Sequence, residues 1–138
     1  MRAMRRGALV VALLALLAAA SASGAAKLPF KATLTAPGHT PKVSVKWYYT
    51  IRVTDLSGKP IAARLTEVVK DPTGQVHPVR YGPTQKVITN WRFTGRFRDY
   101  IIWPADSKLA DYLGGLVLRA TIKARGGTVV LTYRVKPR

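Results

Sequence analysis

Residues Lys42 to Asp55 read KVSVKWYYTIRVTD. Val43, Val45, Trp47, Tyr49, Ile51 and Val53 take every second place; Lys42, Ser44, Lys46, Tyr48, Thr50, Arg52 and Thr54 take the places between. Successive side chains of a strand point to opposite faces, so a period of two marks a ribbon with one buried and one wet face. This is the strongest strand pattern in the chain, and it decides the fold class. It also places Lys42, Lys46 and Arg52 together on the solvent side.

The same grammar recurs on either side. Lys31 to Thr35 is predicted to be a first strand, closed by Pro37-Gly38-His39-Thr40-Pro41. After the turn Asp55 to Pro60 a strand runs from about Ile61 to Lys70, and Asp71-Pro72-Thr73-Gly74 has Pro and Gly where β-turns use them. Val76 to Tyr81 is predicted to be a short edge strand, because Pro78 has no N–H for a central ladder. Trp91 to Trp103 holds one long strand or two short ones, bent at Gly95. Pro104 to Gly115 is a connection with room for a helical turn around Ser107 to Leu113. Leu116 to Lys123 and Thr128 to Lys136 alternate cleanly around Arg125-Gly126-Gly127 and form a hairpin. About seven strands at this spacing give an all-β, antiparallel sandwich.

The first residues obey different rules. Arg2, Arg5 and Arg6 precede an unbroken apolar run from Ala8 to Ala20, and Ala20-Ser21-Ala22 offers small residues for cleavage. These are the three parts of a secretory signal peptide, expected to span 1–22 and leave one domain, 23–138. An uncleaved anchor over Gly7 to Ala26 is the alternative, and no later apolar run is long enough to span a bilayer. The chain has 138 residues and no cysteine. It is long enough to bury a core without disulfides. The expected location is therefore extracytoplasmic, in a bacterial cell envelope.

The run Val43 to Val53, the turn Ser57-Gly58-Lys59-Pro60, the Asp71-Pro72-Thr73-Gly74 turn and the terminal hairpin together resemble the small immunoglobulin-like sandwich domains of exported bacterial proteins. The resemblance spans the whole mature chain and lacks the cysteine pair of antibody domains. It implies an immunoglobulin-like fold and no particular activity.

Charge is the chemical feature that stands out. Lysine and arginine number 23 against six acids, for a formal net charge of +17. Lys42, Lys46 and Arg52 lie in the polar phase of one strand, Arg119 and Lys123 in that of another, and Arg134 and Lys136 in that of the last. Arg92, Arg96 and Arg98 form a further group beside Trp91 and Tyr100. Such a field attracts polyanions. For an exported protein these are anionic envelope polymers, or another envelope protein, rather than nucleic acid. A solvated basic surface without a partner is the plainer alternative.

Other chemistry is thinly represented. The chain carries no HExxH, CxxC, GxSxG or phosphate-cradling glycine loop, so a non-enzymatic module without cofactor is expected. His39 and His77 are the candidates for a small copper carrier, with Asp71 or Asp99 as a third ligand, because such sites need three or four. Glu67 and Asp99 fall in the apolar phase of their strands. A buried carboxylate is costly unless paired. They assist an isopeptide staple between Asn90 and Lys31 or Lys86, or a bulge shifts the phase, or they sit at the sheet rim against Arg64, Arg96 or Arg98.

Overall fold

The computed structural model describes residues 27–105 and 115–138. The expected signal peptide and the helical turn around Ser107 to Leu113 lie outside the described residues. Eight strands are present: β1 (Lys31–Thr35), β2 (Lys46–Thr54), β3 (Ala62–Lys70), β4 (Val76–Pro78), β5 (Trp91–Thr94), β6 (Arg96–Ile102), β7 (Leu116–Ala124) and β8 (Gly127–Val135). They form two antiparallel sheets, one in the order β1-β2-β6 and the other in the order β4-β3-β7-β8, with β5 pairing the first half of β3 beside β4. Among the described residues no helix is long and apolar enough to cross a membrane.

The all-β expectation holds, and the eighth strand comes from Gly95. This residue, at φ 72°, divides the predicted Trp91–Trp103 run. Its N–H donates to the Ile61 carbonyl and its carbonyl accepts from Val53. The chain thereby leaves the larger sheet after β5 and enters the smaller one as β6. Glycine is required here: a Cβ would meet the Pro60 Cβ at 2.5 Å, and a left-handed φ is strained for any side chain.

The alternation of the opening stretch survives over most of its length. Trp47, Tyr49, Ile51 and Val53 are buried, while Tyr48 and Arg52 are exposed. It fails at the start. Ser44 has a φ of 61°, so the chain turns before β2 and leaves Val45 exposed. Val43 and Ser44 instead donate to the Arg138 and Trp103 carbonyls.

The core lies between the sheets. Ile51, Val53 and Phe97 of the smaller sheet face Ala63, Leu65, Leu118, Ala120 and Ile122 of the larger, and Ile88 from the β4–β5 connection closes one flank. Each fully buried Ile or Leu contributes about 1.5–3 kcal/mol. At one end Trp47 packs edge-on to Trp103 and tilted against Tyr133, and its indole N–H donates to the Gly38 carbonyl. At the other end the β7–β8 hairpin turns through Arg125 (φ 43°) and Gly126 (φ 76°), both left-handed as a two-residue type I′ turn demands.

Candidate basic faces and the buried acids

The outer face of β1-β2-β6 gathers Lys31, Lys46, Arg52, Arg96 and Arg98. Among the described residues no carboxylate shares it. Arg52 stands directly opposite Arg96, Thr50 opposite Arg98 and Tyr48 opposite Tyr100. The cations rest on the tyrosines: the Lys46 ammonium lies 4.6 Å from the Tyr100 ring centre and the Arg98 guanidinium 4.8 Å from that of Tyr48. The two rings meet edge-on. Cation–π contacts of this kind contribute about 0.5–1 kcal/mol at exposed sites. Here they hold the charged heads over the sheet.

Lys42 does not belong to this face. The turn at Ser44 puts it outside β2, so the expectation that it shares a strand surface with Lys46 and Arg52 is corrected. The grouping of Arg92 with Arg96 and Arg98 is corrected as well. The switch at Gly95 leaves Arg92 on β5 in the larger sheet and carries Arg96 and Arg98 to the smaller one.

On the larger sheet Arg92 finds different company. It stands directly opposite Arg64, which stands directly opposite Lys123. Arg119 and Arg134 lie further along the same face, opposite Thr132 and Val117. Lys136 follows the end of β8, with its N–H on the His39 carbonyl. Lys31, Arg64 and Arg125 were not singled out from sequence as members of a basic site. The alternation that selected Arg119 selects Lys31 and Arg64 by the same rule, whereas Arg125 depends on the hairpin.

The acids among the described residues are withdrawn from both faces. Among the described residues no lysine or arginine forms an ion pair with a carboxylate; the one such contact is His77 with Asp71. Asp55 Oδ1 accepts from Ser57 N, Ser57 Oγ and Lys59 N. These bonds, the Ser57 hydroxyl foremost, hold its carboxyl below the usual range, and Arg125 adds a smaller electrostatic pull. Asp71 does the same in the Asp-Pro-Thr-Gly turn, accepting from Thr73 N, Thr73 Oγ1 and Gln75 N. Its carboxyl is held down to about 2, by the Thr73 hydroxyl first and then by His77.

Glu67 and Asp99 are buried between the sheets, as their phase requires and without a bulge or a rim. The rim contacts with Arg64, Arg96 or Arg98 are replaced by a tyrosine. Tyr49 Oη lies 2.5 Å from Glu67 Oε2 and 3.4 Å from Asp99 Oδ2, and Asp99 Oδ1 accepts from Gly82 N at 3.0 Å. Glu67 Oε1 has no hydrogen-bond partner among the described residues. Desolvation pushes the Glu67 carboxyl up to about 8, against the Tyr49 hydrogen bond and with help from Asp99. Burial raises Asp99 and Tyr49 too. One hydroxyl proton cannot serve two carboxylates. At neutral pH Glu67 therefore keeps its own proton, and Tyr49 Oη donates to Glu67 Oε2. The isopeptide expectation finds no such geometry. Asn90 is exposed with its N–H on Thr66 Oγ1, Lys31 and Lys86 are exposed, and the buried acids meet Tyr49 instead.

The histidines stand apart. His39 stacks on Tyr133 at 4.3 Å, and its Nδ1 is 2.6 Å from the Arg134 carbonyl. His77 Nε2 is 2.7 Å from Asp71 Oδ2. Among the described residues no group of three or more His, Asp or Glu side chains is placed to hold a metal ion.

No protein-family model and no curated protein matches the chain. Among solved structures it is similar to a DUF4466 family protein from Parabacteroides merdae, at 13% identity and a TM-score of 0.41, over 77% of this chain and 44% of that one. The chain thus spans less than half the length of that protein.

Proposed function

We propose that the protein is an exported, non-enzymatic, immunoglobulin-like module that binds anionic polymers of a bacterial cell envelope. The working surface is the outer face of β1-β2-β6. The observation that carries this reading is the composition of that face: Lys31, Lys46, Arg52, Arg96 and Arg98 share it with tyrosines and threonines and, among the described residues, with no acid. The sheet orders support the immunoglobulin-like assignment. β1-β2-β6 corresponds to strands A-B-E, and β4-β3-β7-β8 to C′-C-F-G. Binding of this kind is electrostatic, with low sequence or stereochemical selectivity.

Co-sedimentation with bacterial cell-wall fragments tests it. Retention is expected to fall steeply between about 0.05 and 0.5 M salt, because exposed charges are screened over about 10 Å at 0.1 M. Changing Lys46, Arg52, Arg96 and Arg98 to Ser is expected to abolish retention at the lowest salt. Retention that ignores both salt and these substitutions would reject the reading.

A further inference from the structure

We infer that the larger sheet carries a second, separate binding site, which clamps phosphate groups between Arg92, Arg64 and Lys123. It lies on the opposite side of the sandwich from the face discussed above and does not depend on it.

The register makes the row. Arg92, Arg64 and Lys123 occupy directly opposed positions on β5, β3 and β7, and Thr128 of β8 continues the line. Side chains so opposed have Cβ atoms about 4.5–5.5 Å apart, and like charges there destabilise the sheet. An ordinary surface relieves such a row with an interspersed acid. Among the described residues Glu67, Asp71 and Asp99 are buried. Asp55 is held by its own turn, with a small electrostatic pull from Arg125.

The surface is also shaped. Arg64, Arg92, Lys123 and Arg125 line an open depression of about 860 Å³. Its lining includes the small residues Ala62 and Gly126, which leave room between the long cationic side chains, and the hydroxyls of Thr94 and Thr128 border it. A long hydrogen bond of 3.5 Å from Arg64 Nη1 to the Asn90 carbonyl steadies one guanidinium. Three planar guanidinium forks, an ammonium and two hydroxyls supply donors around a cup that no carboxylate lines among the described residues. That is the chemistry of oxyanion recognition, in which arginine engages phosphate through paired N–H donors and lysine acts as a point charge. An anion in the cup removes the repulsion that the empty row suffers, so binding and folding reinforce each other.

Two sources can present this group: a phosphate-bearing chain or free phosphate. Binding of long-chain inorganic polyphosphate and of orthophosphate is measured separately, with ionic strength matched by chloride. Arg64→Gln with Arg92→Gln is compared with Lys42→Gln with Lys86→Gln, which removes the same charge from exposed positions on neither basic face. The expected result is a loss of at least about tenfold in the first variant and much less in the second, since charge-assisted contacts are the strong ones. Orthophosphate competing with polyphosphate identifies a single-group site; binding of polyphosphate alone identifies a site for a chain. Equal losses in the two variants, or none in the first, would overturn the proposal. A measurement on the unaltered protein is independent of the variants. Polyphosphate should raise its melting temperature progressively with concentration, and no rise beyond that of chloride would also overturn it.

Discussion

Glu67→Gln is expected to stabilise the protein at pH 8 and to flatten its dependence on pH. Glu67 is 1% exposed, and its carboxyl titrates near 8 in the folded chain against 4.5 for an unperturbed glutamate. Between those values the folded state holds a proton that the unfolded state has released. Stability must then fall as pH rises, by up to about 1.4 kcal/mol per unit from this one group. Asp71 acts with the opposite sign. Its carboxyl is held down to about 2, so its contribution is complete above the unfolded value and is lost as pH falls towards 2. The two together place maximum stability near pH 4–5, below the usual optimum. Glutamine keeps the shape of Glu67 and still accepts from Tyr49, but it never has to be ionised. The variant should gain on the order of 3 kcal/mol over the parent at pH 8 and much less at pH 5. Urea unfolding at the two pH values measures this directly. Tyr49→Phe should move the other way at both, because it strips Glu67 and Asp99 of their shared hydroxyl; an unpaired buried polar group costs about 1–3 kcal/mol. A parent protein whose stability rises from pH 5 to 8 would refute the assignment of a protonated Glu67.

Gly95→Ala should be severely damaging for a single-methyl change. Two costs coincide. The residue sits at φ 72°, where a side chain costs about 1–2 kcal/mol. The added Cβ would also lie 2.5 Å from the Pro60 Cβ, well inside contact distance. Pro60 cannot simply withdraw, since it forms an isolated bridge with Thr54 at the end of β2. A loss of roughly 3 kcal/mol or more is expected, seen as a drop of about 1–2 M in the urea midpoint. Removing the opposing atom separates the two costs. Gly95→Ala combined with Pro60→Gly should lose less than the sum of the single changes, as contacting sites do. Strict additivity would show that the contact does not govern the turn. The consequence reaches function, because this turn puts Arg92 on one sheet and Arg96 and Arg98 on the other.

The sequence by itself determined what is local. Period-two alternation identified β2, β3, β7 and β8 and assigned their inward sides correctly, because side-chain direction in a strand is set by the backbone of the strand alone. It assigned Glu67 and Asp99 to the inward phase for the same reason. Pro78 marked an edge strand, and Asp-Pro-Thr-Gly marked a turn. The positive charge and the scarcity of acids were equally plain. Only the tertiary structure decided which strands became neighbours. Arg92 and Arg96 are four residues apart, yet a left-handed glycine, supported by Pro60 from another loop, sends them to different sheets. Arg64 meets Arg92 and Lys123 through ladders formed between distant segments, so the row has no trace in any short window. Glu67 finds Tyr49 in the same way, across the interface between the sheets. Ser44 shows the converse. Its place in the alternation predicts a strand, but the backbone ties of Val43 and Ser44 to Arg138 and Trp103 fix a turn there, because hydrogen bonds to distant segments outweigh a local preference that is weak at the tip of a strand.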